Sequence, residues 1–588
     1  MTSNSLRIFL WAALGVALFL NYEAWVADYG RTQPAPAREA ARHPGPAGEE
    51  GSGLGATVPH APASSWEGQS TSEAGPPSAS RAAAAGEGSS PAVSAASSGT
   101  AEATATAAAP TVHVRTDVLD MEISLEGGTI VRAALLKYPR VKGQPQPLVL
   151  ENDASPETLY LLESGLTGPD DAAHPTHLAK FTSAKRDYEL PPNGDELRVP
   201  LTWTNGHGVT VTKTFVFRRG SYEIGLDQTV ENRSSMPWQA AAYAALLRYE
   251  NPSHGSMFGY SANRSFHGPA IYDGTKYRTL DITKEEDQHL SLDVANGWMA
   301  APEHYFVSAV VPPAGVPYRY TLAVQGNEFE ITTAGPVRTV APDSTADFDF
   351  KLFVGPKLQA QLAAISPELG RVADYGRLYL LAKPLFWLLE QFHSIFGNWG
   401  VSIIIVTFLL KLLFYPLSEA SYRSMARMKA LAPRIKSIQE TYKDDKEKAG
   451  RAVMELYKRE KVNPVAGCLP MIIQIPVFLA FYWVLLESVE MRQAPFAGWI
   501  NDLSSRDPYF ILPAIMAAAM FVQYKLNPPP PDPTQAKVMM IMPIAMSAMF
   551  AFFPSGLVLY WVTNTILSIA QQWNINRRIE ASAKRQKA

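Results

Sequence analysis

Cysteine is almost missing from these 588 residues. Cys468 is the single example, so no intramolecular disulfide can form. It lies in an apolar segment, where a lone thiol is expected to be inert packing rather than a redox or zinc site. No G-x-x-x-x-G-K-[ST] motif occurs, which leaves nucleotide hydrolysis by a P-loop without a seat. His207, His254, His267, His289 and His304 do not fall at metal-ligand spacing, and they read as scattered polar surface rather than an active centre. An excess of charge of one sign is lacking too: 52 Lys and Arg against 55 Asp and Glu leave −3. Nothing at whole-chain level therefore points to nucleic acid. No internal repeat is found, whereas a secondary transporter would show paired inverted repeats. Neither an enzymatic activity nor a cofactor is expected.

What is present is unevenly distributed. Arg7 precedes an apolar run from Ile8 to Leu20 that continues to Ala27. No convincing A-x-A cleavage site follows, so residues 1–29 are expected to be an uncleaved anchor with its amino end in the cytoplasm. Residues 30–111 are dominated by Ala, Pro, Gly, Ser and Thr. Such a stretch buries too little apolar surface to offset chain entropy, and a disordered linker is expected. From 112 to 356 short alternating runs take over, among them Val209–Phe215, Tyr318–Val324 and Asp347–Phe353. Many short strands at this spacing predict a large antiparallel β-sandwich. Residues 357–397 follow; Leu378, Leu381, Leu385, Leu388, Leu389 and Phe392 recur at helical spacing, which predicts amphipathic helices lying in a membrane interface.

Residues 398–576 read as a membrane unit. Val401 to Leu417 is almost wholly apolar, and at ~1.5 Å per residue it comes close to crossing a ~30 Å hydrocarbon layer. Lys411 interrupts it. A cation near the centre of a span costs at least ~2.5–3.5 kcal/mol and usually faces protein or water; the alternative is a snorkelling side chain near the helix end. Gly400, Ile404, Thr407 and Ser418 share its face. Further apolar runs cover Cys468–Leu486, Tyr509–Tyr524, Val538–Phe553 and Leu557–Ile569, the last two parted by Pro554-Ser555-Gly556. They carry Gln474, Gln523, Thr563, Asn564, Thr565 and Ser568, which either bond between helices or line a wet cavity. Five core spans and the anchor make six.

Charge sets the orientation. Residues 418–463 carry twelve Lys and Arg, and the tail 577–588 adds five more, whereas 488–507 has only Arg492 and Arg506. By the positive-inside rule the 418–463 segment and the tail are cytoplasmic, both termini lie there, and residues 30–397 lie outside. Within 418–463, Met428, Leu431, Ile435, Ile438 and Tyr442 step by three and four, and Ala449, Val453 and Leu456 resume the pattern, which predicts a helical hairpin.

Four long segments, GNWGVSIIIVTFLLKLLFYPL, KVNPVAGCLPMIIQIPVFLAFYWVL, RQAPFAGWINDLSSRDPYFILP and FPSGLVLYWVTN, resemble the YidC, oxidase-assembly and Albino insertase family, in its Gram-negative form with a large exported domain. The resemblance implies a multidomain integral membrane protein of the cell inner membrane. It would combine a periplasmic antiparallel β-supersandwich with an α-helical core of five spans, and hold a hydrophilic groove open to cytoplasm and lipid. By the same resemblance the groove cation falls on Lys411, where arginine is usual, and its polar partners on Thr407 and Gln474. Substrate-contacting apolar positions fall on Ile475 and Phe478, and Trp561 stands where tyrosine is usual; Asn564 lies a turn further along. The implied partners are nascent membrane proteins, the Sec translocon and the lipid bilayer, with the ribosome or targeting machinery reached through the hairpin and basic tail. The sandwich is expected to be remote from the groove. The competing readings are a polytopic transporter and a membrane-tethered carbohydrate-active protein.

Overall fold

The computed structural model describes residues 54–59, 109–250, 266–373, 378–443, 445–460, 462, 469–526 and 533–587. The expected anchor (1–29), most of the expected linker, Cys468 and His254 lie outside the described residues.

Two facing sheets build the exported part, of eleven and eight strands among the described residues. The strand Trp238–Tyr249 runs through the first, between Tyr160–Thr167 and Glu328–Ala334. Ser344–Pro356 runs through the second, between Glu223–Asn232 and Phe306–Val311. Along Glu223–Asn232 every second side chain is buried, as one face on the core and one toward water require. One pair, Thr111–Arg115 with Asp187–Glu189, is parallel, so the expected antiparallel order holds for all but this edge.

Two features depart from the sequence reading. The first helix of the 357–397 stretch, α1 (Gln359–Ile365), and the turn Leu369–Val372 bury Leu362, Ile365, Leu369 and Val372 in the sandwich core. They belong to the sandwich rather than to a membrane interface. His304 is not on the surface either. It is 8% exposed, and its Nε2 meets the Leu486 carbonyl at 2.9 Å.

The helical part follows as α2 (Tyr379–Phe396), α3 (Trp399–Leu413), α4 (Tyr415–Thr441), α5 (Lys446–Arg459), α6 (Leu469–Glu487), α7 (Ile511–Leu526), α8 (Pro533–Phe550) and α9 (Ser555–Lys587). Gly397 closes α2 at φ +63°, and Asn398 opens α3 by accepting from the Val401 N–H at 3.1 Å. A left-handed glycine followed at once by a capping asparagine turns the chain in two residues. α3 and α4 meet at Phe414 with a 65° bend. Pro416 explains it, because proline has no N–H for the Leu412 carbonyl and suits a helix's first turn. Among the described residues no single helix is long and apolar enough to cross a membrane; Trp399–Leu413 with Tyr415–Met428 passes as a bent pair. α2 packs Ala382, Leu385, Phe386 and Leu389 into the bundle core and leaves Leu380 and Trp387 exposed. It is a wall of the bundle with an apolar outer face. α9 continues as one helix through the basic tail to Lys587.

The sandwich touches this bundle. Val489, just past α6, is part of the sandwich core. The Arg492 guanidinium donates to the Pro139 carbonyl at 2.9 Å and lies over the Phe306 ring. Lys357 and Glu487, each 2% exposed at the side chain, face each other at 4.0 Å. These contacts lie at the end of α6 and just past it, where Val489 packs into the sandwich core and Met491 and Ile500 into the bundle core. α4 and α5 form the expected hairpin, with Leu431, Ile435, Leu456 and Val462 buried and Met428, Ile438 and Val453 against them. Tyr442 lies beyond the end of α4 and is 40% exposed, so it leaves the seam.

Candidate functional site

Lys411 sits in the last turn of α3. It does not stretch out of the bundle; its Nζ donates to Ser568 Oγ on α9 at 2.8 Å. Ser568 in turn donates to the Asn564 carbonyl at 2.7 Å, and Gln474 Nε2 on α6 donates to Asn564 Oδ1 at 2.7 Å. Three helices are thus joined by one polar chain. No carboxylate pairs with the Lys411 ammonium among the described residues.

The group opens on a cleft of about 310 Å³ between α4, α6, α7 and α9, lined by Lys411, Gln474, Ile475, Phe478, Trp561 and Asn564 together with Ser418, Tyr422, Gln523 and Ser568. Six of the seven residues singled out from sequence therefore share one cavity. Thr407 does not. It is 1% exposed, its hydroxyl donates to the Ile403 carbonyl at 2.6 Å, and it lines a separate pinch of about 20 Å³ behind Lys411. A buried hydroxyl satisfied by its own helix has little to offer a ligand. The aromatic wall is Phe478 edge-on to Trp561 at 4.8 Å, with Phe481 stacked on Tyr560 at 4.6 Å. Ile475 is 49% exposed at the rim.

The sequence reading missed Ser421, Tyr422, Met425, Met520 and Tyr560, which also line the cleft. For the first three a signal existed. Steps of three and four from Lys411 through Ser418 lead to Ser421, Tyr422 and Met425, but these were assigned to the cytoplasmic segment because α4 runs on from the membrane unit without a break.

The opposite end of the bundle is sealed. Gly400 lets the Phe496 ring lie on α3; a Cβ there would sit 2.1 Å from Phe496 Cδ2. The Ser555 and Gly556 N–H groups donate to the Ser505 and Leu503 carbonyls at 2.7 and 2.9 Å. Asp507, 1% exposed, accepts from Trp499 Nε1 and from the Tyr509 and Leu512 N–H groups. Its negative charge lies at the start of α7, where the helix dipole favours it. A cation-bearing cleft thus lies at one end of the bundle and a packed loop at the other.

Family models and curated relatives match this chain over most of its length. The family described as "60Kd inner membrane protein" matches residues 391–583, and the "YidC periplasmic domain" matches residues 111–388. A membrane protein insertase YidC from Nitrosococcus oceani is 42% identical over 98% of this chain and 99% of its own. One from Azotobacter vinelandii is 43% identical over 98% and 99%. A solved structure of an active YidC insertase covers 78% of this chain and 92% of that one, at 18% identity and a TM-score of 0.35. The chain belongs to the YidC family of membrane protein insertases.

Proposed function

We propose that the Lys411 cleft is where a nascent membrane protein places the polar stretch that must cross the inner membrane. The observation that carries this reading is an ammonium without a carboxylate partner among the described residues, turned into a cleft that also offers an exposed apolar rim. The polar chain of Lys411, Ser568, Asn564 and Gln474 holds water-like partners inside the bundle and lowers the cost of desolvating a short hydrophilic segment. An acidic segment gains most, since a charge pair is stronger here than in bulk water. Ile475, Phe478 and Trp561 receive the apolar helix that follows, and its transfer into lipid supplies the driving force. The plug at 488–510 keeps the site closed on the far side.

In this reading the bent α3–α4 pair, α6, α7, α8 and α9 cross the membrane with the anchor, both termini are cytoplasmic, and 30–397 is periplasmic. The Lys and Arg excess of 418–463 over 488–507 supports that orientation. α7 has 16 residues, about 24 Å of helix, shorter than a ~30 Å hydrocarbon layer; a locally thinned bilayer fits it. The hairpin and tail face the ribosome or targeting machinery, and the lipid-side opening faces the Sec translocon. Photoprobes at Ile475, Phe478 and Trp387 test the route. A stalled nascent segment should crosslink at the first two and not at Trp387, which lies on the outer face of α2. Adducts confined to Trp387 would move the route to the outside of the bundle.

A further inference from the structure

The linker is not uniform. Within it, Leu54–Ala56 forms a short 3-10 turn that lies on the eleven-stranded sheet. The expectation of a disordered linker fails at these residues, and the reason is a set of specific partners. His177 Nε2 meets the Gly55 carbonyl at 3.0 Å. The His177 tautomer follows from its neighbours. Its backbone N–H donates to Tyr243 Oη at 2.8 Å, so the tyrosine hydroxyl donates to His177 Nδ1 at 2.7 Å. The Nε2 hydrogen then remains for Gly55. Thr57 closes the turn, donating through its N–H at 3.1 Å and its hydroxyl at 2.8 Å to the Leu54 carbonyl. That hydroxyl oxygen stands 3.5 Å from Glu330 Oε2. A Cβ at Gly55 would come within 2.9 Å of Leu247 Cδ2 and 3.5 Å of Glu163 Oε1, so a branched side chain has no room. Beneath the turn, His177, Glu163 and Glu330 are 3–4% exposed.

We propose that this notch is a peptide-binding site for the chain's own Leu54–Pro59 segment, and that the segment works as a clasp on the tether between anchor and sandwich. The consequence is geometric. A chain reaches at most about 3.3–3.6 Å per residue, so a tether of about 80 residues could span up to roughly 260–290 Å and the roughly 24 residues from 30 to 54 up to roughly 80–85 Å. The clasp therefore cuts the reach of the chain between anchor and sandwich about threefold, and through the Val489 and Arg492 contacts it limits how far the anchor can stand from the bundle.

Hydrogen exchange on the full chain in detergent tests this, with Gly55→Val as the disruptive variant and Gly51→Val as its control. The Thr57 amide should exchange at least tenfold more slowly than amides at 40–50 in the parent and in Gly51→Val, and should lose that protection in Gly55→Val. Amides of 238–249 should stay protected in all three, which separates loss of the clasp from loss of the sandwich. A fluorescent peptide of residues 50–62 should bind Gly55→Val and not the parent, whose notch is filled. Fast exchange at Thr57 in the parent overturns the proposal, as does full protection in Gly55→Val or failure of the peptide to bind that variant.

Discussion

Glu151→Gln should stabilise the sandwich, and by an amount that depends on pH. Glu151 is fully buried. Its Oε1 accepts from Ser308 Oγ at 2.8 Å, and its Oε2 has no hydrogen-bond partner among the described residues. Burial pushes its pKa up from 4.5 to about 8, against a smaller opposing pull from the Ser308 hydroxyl. The folded protein thus holds a proton that the unfolded chain releases. Stability from this group is complete below about pH 4.5 and is lost as pH rises through about 8. At about 1.4 kcal/mol per pKa unit, the loss across that window is on the order of 4 kcal/mol. Glutamine has the shape of the neutral acid and no proton to lose. With roughly 2–4 °C per kcal/mol for a unit of this size, the variant should melt about 10 °C above the parent near pH 8 and level with it near pH 5. Tryptophan fluorescence during heating of the full chain reads this directly. An equal difference at both pH values would refute the reasoning, because it would mean that the carboxyl does not change its protonation between them.

Gly400→Val forces the Phe496 ring off α3 and should cost about 1–3 kcal/mol, seen as a lower Tm of the helical part; an unchanged Tm would show the plug to be loose already. Arg492→Ala removes the guanidinium's bonds to the Pro139 and Arg140 carbonyls, the first of which keeps Gln493 Nε2 as a donor, a loss of about 0.5–1.5 kcal/mol that should speed proteolysis where sandwich and bundle meet. In the hairpin, four buried apolar side chains at roughly 1.5–3 kcal/mol each stand against an ordering cost of about 1 kcal/mol or more per residue. Its amides over 425–460 should accordingly exchange faster than those over 475–487, and equal rates would contradict that.

How much could be read from sequence depended on whether a segment keeps one face wet. Val209–Phe215 and Asp347–Phe353 alternate, and both are strands. Trp238–Tyr249, which runs through the larger sheet, was not found. It is buried on both faces, and without a wet face there is no period of two to read. Lys411 stood out because a lysine in an apolar helix is costly enough to need a reason, but its pattern left snorkelling and a wet face both open, and it was the family resemblance that implied a groove containing Gln474, Ile475 and Phe478. Thr407 shares a face with Lys411 in the sequence pattern, yet the same spacing lets its hydroxyl turn back onto the Ile403 carbonyl. The clasp was invisible because Leu-Gly-Ala-Thr looks like the rest of its linker; its specificity lies in His177, Tyr243 and Glu330, more than a hundred residues away.

The account rests on the charge of Lys411 acting inside the cleft, and an insertion assay on the Lys411 series measures that most directly. Reconstituted vesicles would receive two substrates that differ only in whether the translocated segment is acidic or uncharged. A carboxylate about 6 Å from the ammonium at an effective dielectric near 20 is worth about 3 kcal/mol. Lys411→Arg should then insert both substrates as the parent does. Lys411→Ala should slow the acidic one at least tenfold and the uncharged one far less, and Lys411→Glu should be the most damaging of the three for the acidic segment. If Lys411→Ala inserts both substrates at the parent rate, the ammonium does nothing in the cleft and the mechanism is wrong.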